Sequence, residues 1–396
     1  MKLTFLLLIL LASLATTTTC GGSDTAEGPL PDTRLTNALS RVPLNFSDKP
    51  LEFHDYAASL AHEGLNVERW EDYLSLDTSE RDRFYEGVAI HPELRYITRN
   101  LYDVLALDIF AARLGIWSWT PGLDSQTFVL LQGNFGVANI TKNLLTLEYK
   151  KDDHNGIPYY WLDEDFTQDV QHAPSRPLRS FGLFANRTVL LDDWLIGAPA
   201  TDISNNLIDV QQQKDLSLLE SEPHFQIAKA IGDGLIGGAF VTPSWVIDTW
   251  NTVNRSPESW LDKYLEGSDQ WVPLSPYTLV LLGYRVSDGT EETVIAFYYP
   301  DPKSAKDDAS KLESRWDSFY YDAQGSGEVE TAVTKSCGSL VTATIELEDS
   351  SVLLGKCKVI RSIKRDLEIE GPTLWSWLYE TRKLEFLVPD LRELRK

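Results

Sequence analysis

Cysteine, methionine and histidine are all scarce in this chain of 396 residues, which has three, one and six of them. The six histidines are scattered, and they are His54, His62, His91, His154, His172 and His224. No two of them have the short spacing that lets a pair of imidazoles share one metal ion, and no two cysteines are two residues apart. The sequence therefore predicts no transition-metal site and no other cofactor.

Positive charge is also in short supply. Lysine and arginine together number 36 against 59 aspartates and glutamates, so the formal net charge is −23. An acidic surface is repelled by the phosphates of nucleic acid and by anionic lipid headgroups. We therefore expect no nucleic-acid partner and no adhesion of the protein surface to a membrane. Hydrophobic residues make up 43 % of the chain, which is ordinary for a globular protein and excludes general disorder.

No apolar run in the sequence is long enough for a membrane-spanning helix. The clearest run, from Leu3 to Ala15, has about 13 residues, whereas ~20 are needed to cross a bilayer. Lys2 precedes this run, four threonines follow it, and Cys20 comes next. A charged start, a short apolar core and an exit of small residues are the parts of a secretory signal peptide.

This N-terminal segment resembles a bacterial lipoprotein signal peptide, in which the cysteine after the apolar core is lipidated and becomes the first residue. The resemblance covers residues 1–20 and implies that residues 1–19 are removed and that Cys20 anchors the chain to a membrane. Residues 20–32 are rich in glycine, proline and small polar residues, which predicts a flexible tether. The expected location is extracytoplasmic and membrane-anchored. The alternative is plain secretion, with Cys20 free or lost.

The remaining two cysteines, Cys337 and Cys357, are an even pair in a chain predicted to be exported, which favours a disulfide. Between them lie a β-branched segment, a polar turn and the start of a second strand, so a hairpin would bring its ends together. The register is imperfect, because pairing about that turn places Cys337 nearer Ser362 than Cys357. The alternative is two buried free thiols.

The pattern of apolar residues predicts an α+β fold. An N-terminal helical region, whose clearest helix begins at Pro92, is followed by two mixed parts with short antiparallel sheets and packed helices. We expect the helical region and the first mixed part to occupy residues 33–268, and the second mixed part, with the disulfide hairpin, residues 269–396. Asn155-Gly156 and Asp288-Gly289 are hairpin-turn signals. Asp301-Pro302 starts a helix with a clear apolar face.

Two motifs in the sequence suggest binding chemistry but lie in the wrong context for it. Residues 232–237 fit G-x-G-x-x-G, yet a predicted helix precedes the glycines and a strand follows them. A dinucleotide site needs the reverse order, so we interpret Gly232 as the end of a helix. Residues 152–156 resemble part of a calcium loop, but Leu162 stands where the last carboxylate ligand is needed. We interpret this segment as an acidic hairpin turn.

Aromatic residues beside carboxylates form the remaining candidate sites. Trp117 and Trp119 alternate, so both rings share one side of an extended segment. Tyr160 and Trp161 lie close to Asp163. Similar clusters are Trp70-Glu71-Asp72-Tyr73 and Asp192-Asp193-Trp194. Such clusters can bind sugars, because aromatic rings stack on sugar C–H faces while acids accept bonds from the hydroxyls. The alternative is that the rings pack in the core, where large aromatics usually lie.

No catalytic residue can be assigned from these patterns. We expect a membrane-anchored binding or interaction module, whose partner is a cell-surface ligand or another protein. The alternative is an extracytoplasmic glycan-directed hydrolase with a dispersed carboxylate site, which would need two carboxyl groups at a fixed separation.

Overall fold

We analysed a computed structural model, which describes residues 33–87, 101–118, 128–167, 186–247, 274–325, 335–361, 374–380 and 384–389. These residues belong to one compact unit of the chain, Pro31–Lys396. Its strands are β1 Leu51–His54, β2 Ala112–Ser118, β3 Phe128–Gly133, β4 Lys150–His154, β5 Ile157–Trp161, β6 Arg187–Leu190, β7 Trp194–Ala198, β8 Leu235–Val241, β9 Leu279–Ser287, β10 Thr290–Tyr299, β11 Lys335–Cys337, β12 Val341–Glu346 and β13 Ser351–Arg361.

The helices pack against these strands. They are α1 Arg34–Leu39, α2 Tyr56–Glu63, α3 Trp70–Ser75, α4 Thr78–Gly87, α5 Val137–Thr146, α6 Thr201–Gln211, α7 Glu222–Ile231, α8 Ser304–Gly325 and α9 Leu374–Glu380. Short 3₁₀ helices span Leu44–Phe46, Ile109–Ala111, Leu218–Glu220 and Glu385–Leu387. Among the described residues, no helix is both long enough and apolar enough to cross a membrane.

All the described strands join one 13-stranded sheet, and every pair in it is antiparallel. The order is β11-β13-β10-β9-β8-β1-β2-β3-β7-β6-β5-β4. β12 also pairs with β13, along residues 351–356, whereas β11 pairs with residues 359–361. The first strand of the chain therefore lies near the middle of the sheet, between β2 and β8.

The predicted fold class, an N-terminal helical region followed by two mixed parts with short antiparallel sheets, is wrong. β1 and β2 come from the supposed helical region, yet they form the centre of a continuous sheet. β8 and β9, which were assigned to different parts, pair directly with each other. The reason is that the pairing of strands distant in sequence depends on which edges remain open, and local apolar patterns do not encode this. The predicted boundary at 268 and the start of the helix at Pro92 lie outside the described residues.

The core is arranged in layers on the two faces of the sheet. β10 shows this well, because its side chains alternate between them: Val294, Ala296 and Tyr298 face one way, and Ile295, Phe297 and Tyr299 the other. One face is covered by α1, α6 and α7. The opposite face is covered by α8 and α9 over one half of the sheet and by the α2–α5 region over the other half. A sheet buried on both faces explains why strands such as β8 are apolar throughout.

Cys337 and Cys357 form a disulfide, as the sequence predicted, with their Cα atoms 5.7 Å apart. The register problem is resolved because β11 and β12 are separate strands that both pair with β13. Cys337 lies opposite Val359, so it is nearer Cys357 than Ser362, contrary to the expected register. The residues between β11 and β12 absorb the difference, so the two cysteines meet diagonally across the ladder.

Candidate functional site

A cleft of about 660 Å³ lies between the second half of α2, the start of α3 and the segment that leads into β2. We call it the α2–α3 cleft. Its apolar wall includes Leu60, Leu65 and Phe110, and its polar wall is formed by acidic and basic side chains. The charged residues that line it are Glu68, Arg69, Glu71, Asp72, Asp108 and Arg113. Among the lining residues that the structure describes, four carboxylates face two guanidinium groups, so this part of the cleft carries negative charge.

Asp108 holds this region together. Its Oδ2 accepts the backbone N–H of Trp70 at the start of α3 over 2.8 Å, and its Oδ1 accepts that of Phe110 over 3.0 Å. Asp108 therefore caps a 3₁₀ helix and fixes α3 beside it. Burial raises the pKa of this carboxyl, and the two N–H groups oppose that shift by stabilising its charged form.

The two carboxylates of α3, Glu71 and Asp72, are also hydrogen-bonded. The Tyr102 hydroxyl donates to Glu71, and this bond lowers the pKa of Glu71 while it raises the pKa of Tyr102. Asp72 accepts the backbone N–H of Glu68 over 3.1 Å. Glu71 thus stays ionised at neutral pH, with its negative charge at the mouth of the cleft.

An aromatic cluster lies behind the cleft and supports it. The ring of Trp70 is stacked on Tyr73 and on Phe110, with centroids 5.5 and 5.7 Å apart. Tyr73 in turn stacks on Phe110 at 5.0 Å and contacts Phe84 at 5.2 Å. These rings pack against one another as in a core, so they give the charged cleft a rigid base.

The ligand-binding candidates predicted from the sequence lie elsewhere. Trp117 is buried in β2 and stacks on His54 with the ring centroids 4.6 Å apart. Tyr160 is buried in β5, in the same hydrophobic cluster as Trp117. Trp119 lies outside the described residues. None of these candidates that the structure describes lines the α2–α3 cleft.

Trp161 and Asp163 lie at the β4–β6 end of the sheet. The ring of Trp161 is flanked by two cations from neighbouring strands, with Lys150 Nζ 4.2 Å and Arg187 Cζ 5.6 Å from its centroid. The carbonyl of Asp163 accepts a hydrogen bond from Arg187, and its N–H donates to Asn186. Trp161 thus contacts neighbouring strands, and Asp163 is held by hydrogen bonds to Arg187 and Asn186. Sugar binding by these two residues stays a prediction.

The two other aromatic–carboxylate clusters have different positions. In Asp192-Asp193-Trp194, the ring of Trp194 is buried in the core and Asp193 accepts a hydrogen bond from Gln132. The first, Trp70-Glu71-Asp72-Tyr73, supplies two carboxylates to the cleft. The sequence patterns do not indicate Asp108 or Tyr102 as site residues. An aspartate two residues before Phe110 is a local capping signal. The hydrogen bond of Asp108 to Trp70, 38 positions away, has no signal in the local sequence.

The lipidation candidate Cys20 lies outside the described residues. Within the described ranges, no group of three or more His, Cys, Asp or Glu side chains is placed to hold a metal ion.

Comparison with known proteins gives little guidance. No protein-family model matches the chain, and no curated protein matches it. The chain is similar to two solved structures, each 8 % identical to it. "Structure of crystal form III of TP0453" has a TM-score of 0.33, with 82 % of this chain and 94 % of that chain covered. "Structure of crystal form I of TP0453" has a TM-score of 0.31, with 88 % and 98 % covered. TM-scores at this level do not establish a common fold, so neither structure informs the function.

Proposed function

We propose that the mature chain is an extracytoplasmic binding module, tethered to a membrane by a lipid on Cys20, which holds a small organic cation in the α2–α3 cleft. The tether rests on the signal-peptide resemblance of residues 1–20. The ligand site rests on one observation, a cleft of about 660 Å³ with an apolar wall and an excess of carboxylates. Small-molecule sites commonly span ~300–1,000 Å³ and combine an apolar lining with a few polar groups.

The charge of the cleft favours a cation. Of the described charged residues that line it, Glu68, Glu71, Asp72 and Asp108 are acidic, and Arg69 and Arg113 are basic. The apolar wall, which includes Phe110, suits a hydrophobic body. A small amine or quaternary ammonium compound with an apolar group matches both walls.

Binding fits these carboxylates better than hydrolysis does. A glycosidase needs one carboxyl group as a proton donor and a second across the scissile bond. Both oxygens of Asp108 accept backbone N–H groups, and Glu71 and Asp72 accept bonds as well. Their role is thus to hold the wall of the cleft and to supply fixed charge. Sugar stacking on Trp70 is also disfavoured, since its ring packs on Tyr73 and Phe110.

Calorimetric titration of the purified chain tests this proposal, with benzyltrimethylammonium as the cation and benzenesulfonate as an anion of similar size. We expect the cation to bind and the anion not to bind. The double variant Glu71→Gln/Asp72→Asn should bind the cation about tenfold more weakly, because two of the nearest charges are lost. Asp233→Asn is the matched control, since Asp233 is exposed and does not line the cleft.

Two results would contradict the proposal. One is equal binding of the anion. The other is cation binding that the double variant leaves unchanged while its melting temperature shows that it is folded.

A further inference from the structure

The two ends of the sheet differ in how their strands are protected. β4, the outermost strand at one end, contains two lysines and two aspartates, and such charges oppose pairing with another chain. β12 lies at the other end, on the side of β13 away from β10. Its first five residues, from Val341 to Ile345, carry no charge and include four β-branched side chains. This composition is typical of a strand that accepts a further strand.

The backbone of β12 presents hydrogen-bonding groups away from β13. The N–H of Thr342 donates to the Glu313 carboxylate of α8 over 3.0 Å, so it does not point towards β13. The N–H of Leu347 donates to the carbonyl of Ser350 across the turn, so it points towards β13. Because the direction alternates along an antiparallel strand, the N–H of Thr344 also points outwards. Glu313 caps one outward group, and Thr344 presents the next.

The exposed side chains of β12 form one apolar row. Val341 is 69 % exposed and Ile345 is 37 % exposed, and the exposed Ala343 lies between them on the same face. Thr342, on the other face, is held by Glu313 through its hydroxyl as well as its N–H. One face of β12 is therefore fixed to α8, while the other offers small apolar side chains to a partner.

β12 is held in shape from both ends. The Cys337–Cys357 disulfide ties the preceding segment to β13, and the Leu347–Ser350 hydrogen bond closes the turn that follows. Leu340 packs over Gly355 so closely that a Cβ atom there would lie 3.0 Å from the leucine. A strand fixed in this way loses little further conformational entropy when another strand pairs with it.

We propose that β12 binds an extended, basic segment of a partner protein, which adds a strand to the sheet. Charge favours such a partner, since the exposed Glu348 and Asp349 follow β12. A second copy of this chain is disfavoured, because each copy has a net charge of −23. Pairing through main-chain bonds, with alternate side chains in contact, is a common mode of peptide recognition. The site is separate from the α2–α3 cleft, so either proposal can fail alone.

Fluorescence anisotropy with a synthetic peptide tests the inference. The probe is fluorescein-labelled Lys-Thr-Val-Thr-Val-Thr-Lys-Lys, and its comparison peptide has glutamate in place of each lysine. Thr344→Pro in the whole chain removes the outward N–H, and its ring obstructs a neighbouring strand. The pairing of β12 with β13 does not use that N–H, so the fold should persist. Thr344→Val is the matched control, because it keeps the N–H and the branched shape.

We expect the basic peptide to bind the wild-type chain and Thr344→Val equally, and Thr344→Pro at least about tenfold more weakly. The acidic peptide should not bind. No binding of the basic peptide, or equal binding to a folded Thr344→Pro, would overturn the inference. Sedimentation that shows a wild-type dimer abolished by Thr344→Pro would assign the strand to a second copy and overturn the stated partner.

Discussion

Glu52 and His54 lie side by side on the central strand β1, with Glu52 Oε2 and His54 Nε2 3.5 Å apart and both side chains buried. Three aromatic rings surround the imidazole. Trp117 stacks on it at 4.6 Å, Tyr56 lies at 5.9 Å and Trp375 at 5.5 Å between centroids. An ionisable pair is thus enclosed at the middle of the sheet, where water cannot replace a lost partner.

Glycines on both neighbouring strands make room for these rings. His54 lies opposite Gly115 of β2 and opposite Gly237 of β8. A Cβ atom at Gly115 would lie 2.9 Å from Trp117, and one at Gly237 would lie 2.9 Å from Trp375. The large side chains therefore lie flat on the sheet only because glycine occupies these positions.

Removing Glu52 should destabilise the fold strongly. We expect Glu52→Ala to lower the free energy of unfolding by about 2–5 kcal/mol, because it removes the carboxylate beside the buried imidazole of His54 and leaves a gap in the packed centre of the sheet. Glu346→Ala is the control, since Glu346 pairs with Lys306 at the exposed surface, and it should change stability by less than about 1 kcal/mol. Urea unfolding followed by tryptophan fluorescence measures both. Similar small losses in the two variants would show that the buried pair contributes little.

His224 should make stability depend on pH. The ring packs in the core near Phe240 and contacts Ser221 through Nδ1, and burial lowers its pKa from 6.5 to about 3. Below pH 6.5 the unfolded chain binds a proton that the folded chain does not bind. The stability is therefore fully present above pH 6.5 and is lost as the pH falls towards 3, by up to about 1.4 kcal/mol per unit.

The variant His224→Phe isolates this effect, since phenylalanine has a similar shape and no titrating group. Unfolding free energies at pH 7.5, 6.0 and 5.0 should fall more steeply for the wild-type chain than for the variant. In this range most carboxylates remain ionised, so the difference in slope reports the histidine. Parallel curves would rule out the buried neutral imidazole as the cause.

The disulfide should contribute to stability by restricting the unfolded chain. A separation of 20 residues gives roughly 3 kcal/mol in the chain-entropy model. Reduction of the wild-type chain should lower its free energy of unfolding by about that amount, while the double variant Cys337→Ala/Cys357→Ala should not respond to reductant. Alkylation of both thiols without prior reduction would exclude the bond.

Lipidation of Cys20 is tested by labelling in a bacterial host. Labelled fatty acid should enter the wild-type protein and should be absent from Cys20→Ala, because the thiol is the attachment site. The Cys337→Ala/Cys357→Ala variant should retain the label. A wild-type protein that carries no label and partitions into the aqueous phase of a detergent extract would contradict the anchor.

The sequence predicted local features well because short-range geometry determines them. Asn155 and Gly156 form the β4–β5 turn with φ values of 54° and 86°. Gly232 ends α7 with a φ of 66°, as expected from the interpretation of the glycine motif as a helix end. The apolar face predicted for the helix after Asp301-Pro302 is buried in α8, where Leu312 and Trp316 lie in the core.

Features that depend on distant contacts could not be predicted. The sequence places the two carboxylates of α3 beside aromatic residues, but tertiary packing determines that the segment with Tyr102 and Asp108 lies against them. Likewise, nothing in Leu51–His54 indicates that this segment lies between β2 and β8.

The central claim, that the α2–α3 cleft holds an organic cation, is tested most directly by crystallography. The whole chain should be co-crystallised with benzyltrimethylammonium. We predict electron density for the ligand in the cleft, with the ammonium group towards Glu71 and Asp72 and the ring against Phe110. An empty cleft at saturating ligand, or ligand bound only elsewhere, would contradict the claim.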